Sequence, residues 1–427
     1  MKKIKVGIAG LGTVGKGVYE ILHKDSKMLA KRCGAEFEVV AVSARSKKDF
    51  VDSKIKFYEN AADLAADADV EVVVELIGGT EIAKDLVIAA IKNGKKVVTA
   101  NKALLAQHGV EIAKLAEKHQ TSIGFEASVA GANPVIKALK EGLAANEVSD
   151  IYAILNGTCN FILSKMAQEQ ADFAEVLKEA QKLGYAEADP TLDIKGFDAA
   201  HKISLLAAIA RNAAPAFAKM EIEGIDEITL SDINLAAELG YKIKLLGIYK
   251  NLGKTHQCSM YPALVAKDSK IAQVDGPFNA AVLNASNASW NMFIGRGAGG
   301  LTTGSAVVAD LVDVAMNRQN FLFGAKVDDL IDLALEPLIH RVGGYFLRLK
   351  VNKNLAQKSS QGGDLATQIF GEKIDVQKAA FFDLGEEILC GFLTKSCLES
   401  DLVEAFKNVD PSLVLSKKFI RVETIDF

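Results

Sequence analysis

The sequence predicts an α/β fold with three regions. Residues 1–134 alternate short apolar strands with helical patterns of ten or more residues, which is typical of a doubly wound parallel sheet. Residues 135–340 lose this alternation and predict an α+β region, whose last helix, 305–317, we expect to pack back on the first region. Residues 345–427 follow a β-α-β-β-α-β order, the ferredoxin-like arrangement of small modules.

The elements of the first region follow from short apolar runs and from apolar spacing. One helix is indicated by Val14, Val18, Ile21 and Leu22, which recur at helical spacing. The other predicted helices are 81–92 and 103–119. The predicted strands are 3–9, 36–43, 70–76, 95–100 and 121–127.

The two later regions carry fewer and less regular signals. In the middle region the predicted helices are 172–183 and 193–211, besides 305–317, and the predicted strands are 147–156, 241–250, 257–265 and 289–294. In the last region the predicted helices are 363–370 and 398–406, and the predicted strands are 345–351, 376–382, 388–394 and 418–424.

Composition and charge argue against several classes of protein. A formal net charge of −4 argues against a nucleic-acid surface, which needs a basic stripe. No apolar run approaches the ~18 residues that span a bilayer, and lysines and glycines interrupt the first apolar segment, so we expect neither an anchor nor a signal peptide. The five cysteines and six histidines lack a zinc-ligand spacing, which favours free thiols in a reducing cytoplasm.

A glycine-rich turn follows the first strand and opens the first helix. It contains Gly10, Gly12 and Gly15, with Thr13 and Val14 between them. Glycines allow the tight turn and the close approach of a pyrophosphate, which the N–H groups of the helix N-terminus attract. This strand–turn–helix context predicts a Rossmann domain that binds a dinucleotide; a tight turn without a ligand is the alternative.

The end of the second strand bears on the ribose of such a cofactor. NAD sites usually place an acid there, whereas this chain has Ser43, Arg45, Lys47 and Lys48. An arginine can pair with a 2′-phosphate through two hydrogen bonds. We therefore expect NADP with Arg45 as a ligand, and we keep NAD and a solvated basic loop as alternatives.

Four carboxylates and a lysine lie within sixteen residues of the middle region: Glu187, Asp189, Asp193, Asp198 and Lys202. Such a cluster suits a small substrate that carries an amine, and together with the dinucleotide turn it predicts a dehydrogenase. Asp198 and Lys202 are four residues apart and share one helix face. A solvated acidic loop and a surface ion pair are the alternatives.

Two lysines are candidates for the acid that protonates a forming alkoxide. Lys202 would act from the acidic segment, whereas Lys102 follows the strand 95–100 at the carboxyl edge of the sheet, where nicotinamide and substrate meet. A cation at a helix start is unfavourable, which favours a functional reason for Lys102. We expect both to contact the reacting centre, one as proton donor and one in orientation, in an order that stays open.

The chain resembles homoserine dehydrogenases over nearly its whole length. The resemblance rests on the glycine turn and on VTANKALL (98–105), EASVAG (126–131), LNGTCNFIL (155–163), LGYAEADP (183–190) through residue 202, GAG (297–299) and SAVVADL (305–311). It implies the reversible NAD(P)-dependent conversion of L-aspartate 4-semialdehyde to L-homoserine, in threonine and methionine biosynthesis. It also implies a homodimer that forms through the middle region.

The same resemblance implies further site residues. Glu187 and Asp198 would bind the amino or hydroxyl end of the substrate, with Asp193 close by. Gly184 and Gly299 would join the cofactor-binding residues, as would Lys102. The segment 126–134 resembles a sodium-binding loop, whose ligands would be the backbone carbonyls of Glu126, Val129, Gly131 and Asn133. A turn that links two domains is the alternative for this segment.

Two more segments carry implied roles. The glycine-rich segment 295–300 would close over the cofactor, with Arg296 near a phosphate, or would act as a hinge. The last region resembles an ACT domain, which implies an amino-acid effector such as threonine. A structural or dimer-forming module is the alternative for that region.

Two other functions stay open on the sequence. An aspartate-semialdehyde dehydrogenase needs a nucleophilic cysteine, and Cys159 is the one cysteine within the stretches quoted above. A regulator that senses nucleotides or amino acids would not need the cluster at 187–202.

Overall fold

The structure is a computed structural model that describes residues 1–318, 321–356 and 362–425. The first region forms one sheet. Six parallel strands follow the order β3-β2-β1-β4-β5-β6, which is the order of dinucleotide-binding folds. The predicted doubly wound sheet is confirmed. Its strands are β1 (Lys2–Ala9), β2 (Ala35–Ser43), β3 (Lys56–Tyr58), β4 (Val72–Glu75), β5 (Lys96–Thr99) and β6 (Ile123–Gly124).

Five helices flank this sheet: α1 (Thr13–Lys24), α2 (Ser26–Cys33), α3 (Ala61–Ala66), α4 (Glu81–Lys92) and α5 (Lys102–Lys118). The prediction missed α2, α3 and β3, which are short; α2 buries Leu29 and Ala30 and leaves most of its other residues exposed. The predicted strand 121–127 was too long, because a 3-10 turn at Glu126–Ser128 replaces its second half.

A second sheet of ten strands joins the middle and last regions. Nine strands follow the order β12-β11-β7-β9-β10-β18-β14-β16-β15, and β8 pairs with β10. The middle region supplies β7 (Val148–Ile154), β8 (Glu221–Ile222), β9 (Tyr241–Asn251), β10 (His256–Ala266), β11 (Phe278–Ala285) and β12 (Ser289–Arg296). The last region supplies β14 (Tyr345–Asn352), β15 (Val376–Asp383), β16 (Glu387–Thr394) and β18 (Val414–Glu423), and a separate pair is β13 (Val342–Gly343) with β17 (Cys397–Leu398).

The last region has the predicted β-α-β-β-α-β order. Helix α14 (Gly362–Phe370) lies between β14 and β15, and helix α15 (Glu399–Lys407) precedes β18. A short helix, α13 (Lys353–Ala356), follows β14. All pairs among its four main strands are antiparallel, whereas β18 pairs in parallel with β10. The last region therefore extends the sheet of the middle region.

The middle region contains more helix than the sequence patterns indicate. Its helices are α6 (Val135–Lys137), α7 (Gly157–Glu169), α8 (Phe173–Lys182), α9 (Thr191–Ile194), α10 (Phe197–Arg211), α11 (Leu230–Glu238) and α12 (Gly300–Ala315). The prediction of one helix over 193–211 was wrong, because Gly196 adopts φ +84° and separates α9 from α10. Among the described helices, none is long and apolar enough to cross a membrane.

Helix α12 packs against α1, on the first region. A Cβ at Gly17 would lie 2.1 Å from the carbonyl oxygen of Gly300, so the two backbones cross without room for a side chain. Farther along, Val307 and Leu311 of α12 share a buried apolar cluster with residues of β1 and α1. The predicted helix starts five residues earlier than expected, since the end of the glycine-rich segment forms its first turn.

Candidate active site

The glycine turn between β1 and α1 has the form of a pyrophosphate cradle. Gly10 adopts φ +102°, and a Cβ there would lie 2.4 Å from the carbonyl oxygen of Leu76. A Cβ at Gly15 would lie 2.0 Å from the carbonyl oxygen of Gly10, whereas one at Gly12 would meet nothing within 4 Å. The first backbone N–H that bonds back into the helix is that of Lys16, which donates to Gly12 at 2.9 Å. The N–H groups of Thr13, Val14 and Gly15 have no described acceptor and are therefore free for an anion, whereas that of Gly10 donates to Ser43.

A cleft of about 660 Å³ begins at this turn and reaches the end of β2. Arg45 and Lys48 line it together with Ser43, so two of the three predicted basic residues lie beside the turn. Glu59 and Asp85 line the same cleft, which gives it mixed charge. The cleft has the place that the adenosine half of a dinucleotide takes in this fold.

Lys102 lies at the carboxyl edge of the sheet, as predicted. The preceding Asn101 caps α5, because its side-chain oxygen accepts the N–H of Leu104 at 3.0 Å and its amide donates to the carbonyl of Gly79 at 2.6 Å. A hydrogen bond of 2.5 Å from Thr99 to the buried Glu75 ties β5 to β4 beneath it. These contacts hold the first residue of α5 in place.

Asp198 forms an ion pair with each of the two candidate lysines. Its Oδ1 lies 3.0 Å from Nζ of Lys102, and its Oδ2 lies 2.6 Å from Nζ of Lys202. Nζ of Lys202 also donates to the carbonyl of Leu155 at 2.8 Å. The fold thus brings together a residue of the first region and the acidic segment of the middle region, so the ion pair between Asp198 and Lys202 is not a surface feature.

The charges of this cluster are set by its own members. Burial alone would raise the pKa of Asp198, but the ammonium groups of Lys202 and Lys102 outweigh it and hold that pKa well below the usual range. The charge of Asp198 in turn raises the pKa of Lys102, against the effect of burial. Burial and the neighbouring Asp198 raise the pKa of Asp193. Asp198 is therefore ionised and Lys102 protonated at neutral pH.

The other predicted substrate ligands lie around this centre. Asp193, at the end of α9, accepts a hydrogen bond of 2.7 Å from the amide of Asn156. Glu187 is exposed, and among the described residues its carboxylate has no hydrogen bond or ion pair, although its charge contributes to the raised pKa of Lys102. Gly184 follows α8 in an exposed turn at φ +76°.

The predicted sodium loop contacts the glycine-rich segment. A Cβ at Gly131 would lie 2.4 Å from the carbonyl oxygen of Gly297, and the N–H of Ala132 donates to the carbonyl of Arg296. The side chain of Arg296 is exposed and lies over the ring of Phe278 at 5.8 Å. Gly299 is the residue before α12, at φ +137°.

The carboxylate of Glu126 is buried and accepts backbone hydrogen bonds. The two oxygens accept the N–H groups of Ile136 and Lys137 at 3.0 and 2.8 Å, and burial together with the charge of Asp310 raises its pKa to about 8. Its carbonyl accepts a long bond of 3.4 Å from Val129. The carbonyl of Asn133 accepts the N–H of Val135 at 2.8 Å, whereas no described donor reaches the carbonyls of Val129 and Gly131. In the described ranges, no three His, Cys, Asp or Glu side chains are placed to hold a metal.

Two further residues of the site were missed by sequence reasoning. Asn156 donates to both Asp193 and Asp198, at 2.7 and 2.9 Å. His201 lies between Asp198 and Lys202 on α10, where burial lowers its pKa to about 4 and its ring stacks on Phe217 at 4.0 Å. An asparagine before a helix is a usual start signal, but helix α7 itself was not predicted.

The chain is similar to known proteins over its full length. A family model described as homoserine dehydrogenase, NAD binding domain, matches residues 10–126, and one described as homoserine dehydrogenase matches residues 134–312. Homoserine dehydrogenase of Neisseria gonorrhoeae is 47% identical over 100% of both chains.

Solved structures agree with these sequence matches. A homoserine dehydrogenase from Thiobacillus denitrificans has a TM-score of 0.91 and 39% identity over 99% of both chains. A hyperthermophilic archaeal homoserine dehydrogenase in complex with NADPH has a TM-score of 0.64 and 26% identity, over 75% of this chain and 99% of that one. The chain therefore belongs to the homoserine dehydrogenase family and is an NAD(P)-dependent oxidoreductase that acts on a CH–OH group.

Proposed function

We propose that the chain interconverts L-aspartate 4-semialdehyde and L-homoserine at a centre formed by Lys102, Asp198 and Lys202. The observation that carries this proposal is the single carboxylate of Asp198 between two ammonium groups, at 3.0 and 2.6 Å. The centre lies at the carboxyl edge of a sheet whose order is that of dinucleotide-binding folds. When bound, the nicotinamide supplies or accepts the hydride.

The residues of the first region fit a dinucleotide. The free N–H groups at Thr13, Val14 and Gly15 would bind its pyrophosphate, while Gly10 and Gly12 leave room for it. Arg45 would pair with a 2′-phosphate from the same cleft, which favours NADP. The nicotinamide end would lie toward Lys102, Gly184 and Gly299.

The two lysines are the groups that would donate a proton to the alcohol oxygen and accept one from it. An ammonium group has three hydrogens, of which Lys202 gives one to Asp198 and one to Leu155, while Lys102 gives one to Asp198. Each therefore keeps at least one hydrogen for the substrate oxygen, so that one protonates the forming alkoxide and the other orients it. Asp198 fixes both ammonium groups on one point.

The carboxylates bind the rest of the substrate. Asp198 is ionised at neutral pH, Asp193 lies beside it on the same asparagine, and Glu187 is open to solvent. An α-ammonium group would pair with Glu187 and Asp193, while Asp198 holds the hydroxyl end through the lysines. This division follows the charges of the site rather than a bound ligand.

A sodium ion would fit the segment 126–134 as a structural cation. The carbonyls of Val129 and Gly131 have no described donor, whereas those of Glu126 and Asn133 already accept backbone N–H groups. Hard cations prefer oxygen ligands, and two free carbonyls in one tight turn supply them. Activity that is independent of sodium, with potassium or choline as replacement, would remove this part of the proposal.

The homodimer and the effector also belong to the proposal. Ile294 and Phe278, on the paired outer strands β12 and β11, are 56% and 37% exposed, which supports association through the middle region. The ferredoxin-like order of the last region supports an effector such as threonine. A threonine titration without inhibition or a shift in melting temperature would leave that region a structural role.

The alternative chemistry with a cysteine nucleophile is poorly supported. Cys159 is fully buried, burial raises the pKa of its thiol well above the usual value, and the thiol donates to the carbonyl of Asp193 at 3.2 Å. A reactive thiol needs a lowered pKa and access to substrate. Cys159 has neither.

The direct test is the reduction of NADP by L-homoserine, followed in a spectrophotometer. We expect turnover that needs both reactants and is faster with NADP than with NAD at equal concentration. Arg45→Ala should raise the KM for NADPH about 10-fold and leave that for NADH unchanged, since a bidentate charged pair contributes about 1.5–3 kcal/mol. Equal or faster turnover with NADH would contradict the NADP assignment alone.

A further inference from the structure

The turn from β7 into α7 contacts three charged groups of the reacting centre, which are Lys202, Asp193 and Asp198. The carbonyl of Leu155 accepts the ammonium group of Lys202, and the side-chain amide of Asn156 donates to Asp193 and Asp198. Cys159, in the first turn of α7, donates to the backbone of Asp193. Two consecutive residues of one turn thus hold a lysine and two carboxylates.

We propose that Asn156 is a positioning residue, which holds Asp193 and Asp198 side by side, so that Asp193 faces the ammonium end of the substrate and Asp198 faces the two lysines. The proposal rests on the function proposed above. Asn156 is 5% exposed, so these hydrogen bonds are shielded from water. Its role is to place the groups that bind substrate, and it need not touch the substrate itself.

The orientation of the amide is fixed by its own contacts. The oxygen of Asn156 accepts the N–H of Cys159 at 2.8 Å and so caps α7. The NH2 group must then face the opposite side, where its two hydrogens meet one carboxylate each, at 2.7 and 2.9 Å. A flipped amide would place its oxygen against two carboxylates and its NH2 group against a backbone donor.

Without this bridge the two carboxylates would repel each other. Asp198 has the ammonium groups of Lys102 and Lys202 as partners, whereas the one described hydrogen bond to the carboxylate of Asp193 comes from Asn156. Asp193 also lies in the short helix α9, just before the break at Gly196. Loss of the amide should therefore displace Asp193 first.

Two substitutions separate the role of Asn156 as the N-cap of α7 from its role as the donor to Asp193 and Asp198. Both Asn156→Ser and Asn156→Asp keep an oxygen that can cap α7, since serine and aspartate are good N-cap residues. The serine variant lacks the two donors, and the aspartate variant also adds a negative charge beside two carboxylates. The matched control is Asn251→Asp, because Asn251 likewise accepts a backbone N–H, that of Gly253, in the turn between β9 and β10.

We expect the KM for L-homoserine to rise about 10-fold in Asn156→Ser and about 100-fold in Asn156→Asp, as for lost hydrogen bonds to charged groups. The KM for NADP and the melting temperature should stay near those of the wild type. The acidic limb of the pH profile of kcat/KM should move to higher pH in Asn156→Asp, because a third negative charge disfavours ionisation of its neighbours. Asn251→Asp should match the wild type throughout.

An unchanged KM and pH profile in both variants would overturn the proposal, as would losses that simply parallel a lower melting temperature. Crystal structures of wild type and Asn156→Ser supply a readout without activity: Asp193 should leave Asp198 in the variant, and unmoved carboxylates would contradict the role. If the wild type itself fails to reduce NADP with homoserine, the proposed function fails, whereas the crystal comparison still decides the positioning.

Discussion

Two buried charge clusters in this protein differ in their balance of charge. In the catalytic cluster, the one carboxylate of Asp198 lies between Lys102 and Lys202, and these ammonium groups hold its pKa far below the usual range despite burial. The junction cluster lies where α6 and α12 meet the first region, and its members are Glu126, Asp310, Asp313, Lys137 and Lys140.

The junction cluster has three carboxylates and two lysines, and Arg318 also pairs with Asp313 at 3.0 Å. Burial raises the pKa of Glu126 to about 8 and that of Asp310 to about 6, while it lowers the pKa of Lys140 to about 8. Lys137 pairs with Asp313 and lies 3.6 Å from Asp310. Both clusters are largely buried, so direct contact with a cation decides which carboxylate stays ionised at neutral pH: Asp198 contacts two lysines, whereas Glu126 has no described ion pair.

The largest effect should come from the cations of the catalytic cluster. Lys202→Ala and Lys102→Ala should each lower kcat by about 100- to 10,000-fold, as expected for loss of a general acid or of its orienting partner. The matched control is Lys195→Ala, since Lys195 is exposed and pairs with Asp226. Steady-state rates measure the loss of kcat, and melting temperatures show whether the variants remain folded. Either variant with near-wild-type kcat removes that lysine from the scheme.

Removal of the shared carboxylate should come next. Asp198→Asn keeps the shape but leaves two ammonium groups without their counter-charge, so kcat/KM for homoserine should fall about 100-fold. The pKa of Lys102 should fall as well, which would move the basic limb of the pH profile to lower pH. A variant with an unchanged profile would show that Asp198 does not set the charge of the lysines.

The smallest effect should come from the junction cluster and should appear in stability. A folded-state pKa of about 8 against the ordinary 4.5 means that folded Glu126 binds a proton that the unfolded chain has lost. Its contribution to stability is present below about pH 4.5 and is lost as the pH rises through about 8. The melting temperature of the wild type should therefore fall relative to Glu126→Gln between about pH 7 and pH 9.

The comparison must use the slope with pH, because glutamine alters the bonds to Ile136 and Lys137 at every pH. Asp310, whose pKa is about 6, is coupled to Glu126, so the slopes are compared above about pH 7, where Asp310 is ionised in both proteins. Parallel curves for wild type and Glu126→Gln would contradict the raised pKa. Activity should be less sensitive to this change than to those in the catalytic cluster.

Sequence patterns predicted the elements that are exposed on one side. Helix α4 was predicted with the bounds that the structure has, since its apolar face alternates with a polar one. Helix α7 was missed because its residues from Cys159 to Ser164 are all buried, which leaves no amphipathic pattern. Strand β11 was also missed, although β10, which has ten consecutive buried residues, was predicted, so burial alone does not explain the miss.

The part of the site that consists of charged side chains was predictable from the sequence. Asp198 and Lys202 are visible as a pair four residues apart, and Lys102 follows a buried strand. The contact of Lys102 with Asp198 joins residues 96 positions apart in different regions, and no spacing in the sequence indicates it. The carbonyl of Leu155 and the bridging amide of Asn156 leave no signal in composition or spacing, because any residue has a carbonyl and many asparagines cap helices.

The most direct measurement is a crystal structure with NADPH and homoserine bound. We expect the ammonium groups of Lys102 and Lys202 to face the nicotinamide ring and the substrate hydroxyl, with Asp198 behind them. Side chains of Asp193, Asp198 and Lys202 that point to bulk solvent, far from the reactive carbon of the nicotinamide, would contradict the proposed centre.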